Sequence, residues 1–131
     1  MQNATARKRI QLAASGLAAA ATLLIAASAP ALAGTSNNVS NSNGASIAWF
    51  WEQGDKLQSS DQSRDGHGSV AQWRYGSGST VHSYYNGGGY GATKTWNLDF
   101  AEGTSLQIRS CLSDGSSGTP YSCGSWVSAK A

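Results

Sequence analysis

Large aliphatic side chains are scarce outside the N-terminal segment of this sequence, which limits how a core can be built. Residues 34–131 contain no Met, four Leu and two Ile, whereas all five Trp and all five Tyr of the chain lie there. Nowhere in this part do apolar residues recur at helical spacing for long enough to predict a helix. The core of a domain as small as residues 34–131 must therefore rely on Trp and on a covalent crosslink.

Charge is also scarce, at 12% of the chain, and beyond the N-terminal segment it favours neither sign. Three of the nine basic residues lie at positions 7–9, so residues 34–131 hold six basic against seven acidic side chains, a net charge of −1. This balance provides no basic patch for a nucleic-acid backbone. We therefore expect no nucleic-acid partner.

The N-terminal segment, residues 1–33, has the three parts of a secretory signal peptide. An Arg-Lys-Arg group at residues 7–9 precedes an Ala-rich apolar run at residues 10–27, and Ala-Leu-Ala at residues 31–33 forms a small-x-small cleavage site. The apolar run is too weakly hydrophobic to favour a transmembrane anchor. We expect cleavage after residue 33 and a secreted protein that leaves the membrane.

Cysteine is limited to Cys111 and Cys123. In an exported chain, two cysteines predict one disulfide bond. Two thiols alone do not make a four-ligand structural metal site, and neither cysteine belongs to a C-x-x-C motif. The bridge would close a local loop, worth roughly 3 kcal/mol by the chain-entropy argument.

Short runs of alternating apolar and polar residues, separated by turn-forming residues, predict about seven short antiparallel strands. They are expected at residues 47–52, 56–60, 69–75, 81–85, 94–100, 105–112 and 122–128. This pattern predicts an all-β domain, an immunoglobulin-like β-sandwich over residues 47–131, with a small β-barrel as the alternative. The last three strands are expected to form two antiparallel hairpins that share their middle strand.

Residues 34–46 precede the predicted sandwich and consist mainly of Asn, Ser and Gly. Such a composition buries too little apolar surface to offset the entropy of ordering, so it predicts a flexible arm. A spacer is the simplest interpretation of this arm. The alternative is an arm that orders on a partner, and its contact residues would then be Asn37, Asn38, Val39 and Asn41.

A glycine-rich loop at residues 86–91 carries Tyr90 and follows Tyr84 and Tyr85. It is not a phosphate-binding loop, because it lacks the Gly-Lys-Ser/Thr ending and no helix follows it. Tyrosine presents a large amphipathic surface at small entropy cost. The three tyrosines therefore predict a partner contact surface, with an ordinary hairpin loop as the alternative.

The best metal candidate is the loop that holds Asp61, Ser63 and Asp65, which matches the opening of a calcium-binding loop. The twelfth position is Gln72, where such a loop needs a bidentate Glu, and helical flanks are missing. A polar turn explains the same residues better. The two histidines belong to no catalytic motif, and the sequence has no G-x-S-x-G elbow. We expect neither a cofactor nor catalysis.

The surplus of Trp allows two interpretations. Trp51, Trp73 and Trp126 would form a sugar-stacking surface if they shared one face of the sandwich. Trp-rich cores are common in small sandwiches, so a place in the core is the better interpretation. A carbohydrate- or calcium-binding module is therefore retained as a third hypothesis for function.

One tripeptide suggests an inhibitor. Trp73-Arg74-Tyr75 resembles the Trp-Arg-Tyr segment of the small streptomycete α-amylase inhibitors, which are secreted β-sandwiches with two disulfides and an exposed tripeptide. This chain has cysteines for only one disulfide, and its tripeptide falls at the end of a predicted strand. A secreted hydrolase inhibitor is the second hypothesis.

Two longer segments carry a broader resemblance. GDKLQSSDQSRDGHGSVAQWRY, at residues 54–75, and KTWNLDFAEGTSLQIRSCLSDG, at residues 94–115, resemble small secreted actinobacterial β-sandwich proteins, although the cysteine expected before Asp61 is missing. Some of those proteins resemble the adaptor subunit of umbrella toxin particles. The resemblance implies a non-enzymatic adaptor whose N-terminal extension links a lectin-like subunit to a large toxin-bearing one. A secreted interaction module of this kind, acting through residues 34–46, is the leading hypothesis.

Overall fold

A computed structural model describes residues 33–131. They form eight strands: β1 Asn37–Ser40, β2 Ser46–Trp51, β3 Lys56–Asp61, β4 Gly68–Arg74, β5 His82–Asn86, β6 Thr93–Asn97, β7 Ser105–Ser113 and β8 Val127–Lys130. This part of the chain contains no helix with the length and apolar character needed to span a bilayer. The predicted signal peptide lies, apart from its last residue, outside the described residues.

The strands form two four-stranded antiparallel sheets that pack face to face. The first sheet has the order β1-β2-β3-β6 and the second has the order β5-β4-β7-β8. The chain passes between the sheets three times, at the β3–β4, β5–β6 and β6–β7 connections. The prediction of an all-β sandwich with one disulfide is therefore confirmed, and the strands do not close into a single barrel.

The pairing of the last strands differs from the prediction. β6 pairs with β3 in the first sheet, whereas β7 pairs with β4 and β8 in the second. The predicted hairpin between residues 94–100 and 105–112 is therefore wrong, because the chain crosses between the sheets there. Phe100 packs edge-to-face against Trp73 of the second sheet, with 4.9 Å between ring centres. Alternating burial continues through such a crossing, so periodicity alone did not reveal the end of the strand.

The predicted flexible arm at residues 34–46 is also wrong. Residues 37–40 form β1, which pairs along its full length with β2, and Thr35 forms an isolated bridge with Lys130 of β8. Val39 packs against the core. The composition argument failed because β1 gains its order from backbone hydrogen bonds to an existing sheet edge rather than from apolar burial of its own.

The interior between the sheets has two chemically different halves. The half near the β2–β3 turn is apolar, and its largest members are Phe50, Leu57, Trp73, Leu106 and Ile108. In the half near the β3–β4 connection, small polar side chains replace them: Ser46, Ser59, Ser69, Asn86 and Ser110 are all buried. The serine-rich half supports the loops that contain the candidate site.

Hydrogen bonds between the sheets satisfy this polar half. The Ser46 hydroxyl lies 2.6 Å from the Ser110 hydroxyl and donates to the Cys111 carbonyl at 3.0 Å. Ser59 donates its hydroxyl hydrogen to the Ser69 oxygen at 2.8 Å. Because each of these buried hydroxyls has a partner, the polar interior avoids the cost of unpaired groups.

Most of the tryptophans lie outside the core. Trp73 is buried, whereas Trp51 is 45% exposed. In β2 the inward positions belong to Ala48 and Phe50, so the alternation of a strand places Trp49 and Trp51 on the outer face. The expectation of a Trp-rich core therefore holds for Trp73 and is wrong for Trp51.

Candidate functional site

Four connections lie together at one end of the sandwich: residues 41–45, 62–67, 87–92 and 114–126. Backbone hydrogen bonds join the first three, from the Gln62 amide to the Ala45 carbonyl at 2.8 Å and from the Gly91 amide to the Asp61 carbonyl at 2.9 Å. We call this surface the loop end. Loops that a rigid β-scaffold holds together are common sites of molecular recognition.

A cleft of about 440 Å³ opens at the loop end. Arg64 and His67 line it from the β3–β4 connection, and Tyr85 and Tyr90 line it from the other side. We call it the loop-end cleft. Its walls combine aromatic surface, a cationic group and exposed backbone, which suits a mixed polar and apolar partner surface.

Two glycines create the space for the Tyr85 ring. A Cβ atom placed at Gly68 or at Gly87 would collide with this ring. Tyr85 lies on the outer face of the second sheet, in register with Val70. The ring is therefore held against bare backbone on both sides and presents a fixed aromatic wall to the cleft.

Tyr90 and Arg64 join the two loops across the mouth of the cleft. The Arg64 guanidinium carbon lies 4.8 Å from the centre of the Tyr90 ring, within the range of a cation–π contact. Tyr90 remains 57% exposed. This aromatic side chain is thus positioned by a contact and still accessible to a partner.

Asn86 anchors the loop that carries Tyr90. Its buried side-chain amide donates to the carbonyls of Ser59 and Ala92, both at 2.9 Å, and its Oδ1 accepts from the Gly88 amide at 3.1 Å. The loop is therefore ordered before any partner arrives, which lowers the entropy cost of binding.

The residues of the predicted calcium loop act as turn caps. Asp61 Oδ1 accepts from the Ser63 amide at 3.0 Å, and Asp65 Oδ1 accepts from the His67 amide at 2.9 Å. Within residues 33–131, no group of three or more His, Cys, Asp or Glu side chains is placed to hold a metal ion. The match to a calcium motif is explained by the preference of Asp for such turns.

A cluster that the sequence did not predict joins His67, Asp114 and Tyr121. Asp114 Oδ1 lies 2.5 Å from His67 Nδ1, and the Tyr121 hydroxyl donates to the same oxygen at 2.9 Å. These hydrogen bonds, from His67 first and from Tyr121 second, lower the pKa of Asp114. Burial, followed by the hydrogen bond with Asp114, raises the pKa of Tyr121. The cluster ties the β3–β4 connection to the β7–β8 connection.

The third predicted tyrosine does not belong to the cleft. Tyr84 faces the interior, where it packs against the core and lies 5.2 Å from the Trp96 ring. Adjacent residues of a strand point to opposite faces of the sheet, so Tyr84 and Tyr85 could not share one surface. Of the three predicted tyrosines, Tyr85 and Tyr90 meet at the loop end.

The predicted arm contacts are mostly structural. Asn41 is buried, and its Oδ1 accepts from the Ser46 amide at 3.0 Å. The Asn37 amide donates to the Ser128 carbonyl at 2.8 Å, and Val39 packs on the core. Asn38 is the exposed member of the set. These residues hold an edge strand in place and do not form a mobile contact segment.

The Trp-Arg-Tyr tripeptide does not form one exposed surface. Trp73 is buried, with its ring stacked on His82 at 4.2 Å. Arg74 extends to the opposite face, and Tyr75 follows the end of β4 with 55% of its surface exposed. An inhibitory wedge needs three contiguous exposed side chains, and this tripeptide does not provide them.

Trp49 and Trp51 share the outer face of the first sheet, where they form a second aromatic surface. The Trp51 indole donates to Gln58 Oε1 at 3.0 Å, and the Gln58 amide donates to the Thr95 hydroxyl at 3.1 Å. We call this surface the aromatic face. The three tryptophans suggested for sugar stacking, by contrast, lie on three different surfaces, since Trp126 covers the outer face of the second sheet.

The predicted crosslink is present: Cys111 of β7 is bonded to Cys123. It ties the β7–β8 connection to the outer face of the second sheet, where Leu112 and Tyr121 also form a bridge.

Comparison with known proteins finds no protein-family model, no curated protein and no solved structure that matches this chain.

Proposed function

We propose that this chain is an exported, non-enzymatic protein-interaction module that contacts a partner through its loop end. The observation that carries the proposal is the ordered loop-end cleft, in which Tyr85 and Tyr90 are held in place and remain accessible. Tyrosine, serine, glycine and asparagine dominate these loops, the composition typical of loop-based protein recognition.

Two features support export. Residues 1–33 have the pattern of a secretory signal peptide. The Cys111–Cys123 bond is of a kind that persists in oxidising compartments and is rare in the cytosol.

A more specific form of the proposal is an adaptor in an extracellular toxin complex, which would join a lectin-like subunit to a large toxin-bearing one. An adaptor needs two separate contact surfaces. Because residues 37–40 belong to the first sheet, these surfaces would be the loop end and the aromatic face rather than a flexible arm. Trp51 on the aromatic face is 45% exposed, which supports a second contact there.

Affinity capture from culture medium tests the proposal directly. A tagged wild-type protein should retain a protein partner, and Tyr90→Ser should lose it. Val81→Ser is the control, because Val81 is also an exposed apolar residue, at 39% against 57%, but precedes β5 at the opposite end of the sandwich. Recovery of a solitary monomer from the native medium would contradict the proposal.

Carbohydrate binding by the aromatic face is the second candidate function. Two tryptophans beside hydrogen-bonding Gln and Thr side chains on the outer face of the first sheet provide a surface on which sugar rings can stack. Binding to insoluble cell-wall glycans should then fall in Trp51→Ala and persist in Lys56→Ala, a change on the same face. Equal retention of both variants by the glycan would contradict this function.

A further inference from the structure

The outer face of the second sheet concentrates positive charge in a chain that is otherwise nearly neutral. Arg74 on β4, Arg109 on β7 and Lys130 on β8 account for three of the six basic residues in residues 34–131. None of the four strands in this sheet contains Asp or Glu. We call this surface the basic face.

Arg74 and Arg109 share one aromatic ring. Their guanidinium carbons lie 4.1 Å and 4.5 Å from the centre of the Trp126 ring, so the two charges are separated by no more than the sum of these distances. Trp126 comes directly before Val127, which pairs with Ile108. This register places Trp126 beside Arg109 of β7. Two like charges therefore contact the same ring.

Glutamine side chains fix the orientation of both arginines. Arg74 Nε donates to Gln107 Oε1 at 2.7 Å, and Arg109 Nε donates to Gln72 Oε1 at 2.6 Å. Within residues 33–131, neither guanidinium forms a salt bridge, and their terminal nitrogens make no hydrogen bond. Each arginine therefore keeps its terminal N–H groups for an external acceptor, and planar N–H pairs match the two oxygens of a carboxylate.

The charge on this face is not neutralised internally. Burial, followed by the charge of Arg74, lowers the pKa of Arg109. This direction means that partial burial and the neighbouring Arg74 both disfavour the positive charge on Arg109. A bound anion would relieve this repulsion, whereas a neutral ligand would not.

A groove of about 310 Å³ lies along β7 and β8, and neither arginine lines it. Tyr75 supplies an exposed aromatic ring to its lining, and Gln107, Ser128 and Lys130 supply polar side chains. Gln107 belongs both to the groove and to the hydrogen bond with Arg74. Gln107 therefore connects the groove to Arg74, and Lys130 lies along its wall.

We propose that the basic face binds an acidic peptide segment of a protein partner, with carboxylates on Arg74 and Arg109 and the neighbouring residues in the groove. Charge complementarity identifies the occupant. A peptide also matches the adjoining groove, whose lining combines the Tyr75 ring with polar side chains. A nucleic-acid backbone would need a longer run of basic side chains than the three on this face. This site is distinct from the loop end and does not depend on its function.

The test uses capped hexaglutamate as the probe and the mature oxidised protein. The Nε–H resonances of Arg74 and Arg109 should shift on titration, and hexaglutamine should leave them unchanged. Arg74→Gln/Arg109→Gln should weaken hexaglutamate binding by about tenfold or more, since charge-assisted hydrogen bonds are lost. Lys56→Gln/Lys94→Gln, which removes the same charge from the first sheet, should weaken it less than about twofold.

Three outcomes would overturn the proposal. The first is the absence of any shift of the two arginine Nε–H resonances in the wild-type protein, a result that does not depend on how the variants fold. The second is an equal loss of binding in both double variants, which would mean that only net charge matters. The third is binding of an oligogalacturonate to the arginine pair without binding of hexaglutamate. Tyr90→Ser should leave hexaglutamate binding unchanged, so this result is separable from the fate of the loop-end proposal.

Discussion

The side-chain amide of Asn86, on β5 of the second sheet, donates to the carbonyl of Ser59, on β3 of the first sheet, at 2.9 Å. This contact connects the two sheets directly beneath the loop end. Both residues are buried, so the hydrogen bond forms where water does not compete. The sandwich is thereby closed by polar contacts at the end where its loops are displayed.

Asn86→Ala should lower the free energy of unfolding by about 2 kcal/mol, because the Ser59 and Ala92 carbonyls each lose the hydrogen bond from the Asn86 side chain, and the bond to Ser59 is buried. Urea unfolding measures the change. Asn97→Ala, at an exposed position of β6, should shift stability by less than about 0.5 kcal/mol. Hydrogen exchange of the Gly88 amide should also accelerate in Asn86→Ala, and unchanged exchange would contradict the proposed anchoring.

Gly68→Ala should destabilise the domain by about 1–3 kcal/mol, because the new methyl group would overlap the Tyr85 ring. The same substitution in a Tyr85→Ser background should cost much less, since the space is then open. Thermal unfolding of the four proteins gives the coupling between the two sites. Simple additivity of the two substitutions would show that the ring is not the obstacle.

Cys111→Ala/Cys123→Ala should lower stability by about 3 kcal/mol, because the crosslink restricts the unfolded chain across its twelve-residue separation. The wild-type protein under reducing conditions should unfold at the same urea concentration as the double variant. No free cysteine occurs in the described part of the chain, so thiol exchange does not complicate the comparison. A reduced protein as stable as the oxidised one would contradict this prediction.

Asp114→Asn should remove part of the acid sensitivity of the fold. The folded-state pKa of Asp114 lies below its ordinary value of 3.8, because His67 and Tyr121 donate hydrogen bonds to the carboxylate. Its contribution to stability is therefore present above pH 3.8 and is lost as the pH falls from there through the folded-state pKa.

Urea unfolding between pH 2 and pH 6 measures this effect. Asp99→Asn provides the control, because Asp99 is exposed and makes no side-chain hydrogen bond within residues 33–131. The wild-type protein and Asp99→Asn should lose stability below pH 3.8 more steeply than Asp114→Asn does. Parallel pH profiles for all three proteins would show that the His67–Asp114–Tyr121 cluster does not act in this way.

Turn chemistry made much of the strand order along the chain predictable. The observed limits of β2, β3, β4, β5 and β7 lie within one residue of those expected from alternation and from Gly, Asp and Ser positions. The strand at residues 94–100 was predicted too long, because Leu98 and Phe100 continue the alternation after the chain has left β6. Local patterns therefore locate strands well where a turn ends them, and poorly where the chain crosses between sheets.

The candidate sites depended far more on tertiary structure. Tyr85 and Tyr90 stood out in the sequence as exposed aromatic candidates beside glycines, and they do line the cleft. Nothing in the sequence connected His67 with Asp114, 47 residues apart, or Arg74 with Arg109. Such pairs are created by strand register and by the order of strands in the sheet, which no short window of sequence contains.

By itself, the sequence determined that residues 47–131 form an all-β domain, that the two cysteines pair, and where most of the turns fall. Those features follow from local physics: alternation, turn propensity and the chemistry of two thiols. The tertiary structure alone decided which sheet each strand joins, and that residues 37–40 are a strand rather than an arm. It also decided which charges meet on the outer faces. Backbone hydrogen bonding to a sheet edge is nearly independent of side-chain identity. The packing of the whole domain therefore determines which strands pair and which charged side chains lie together.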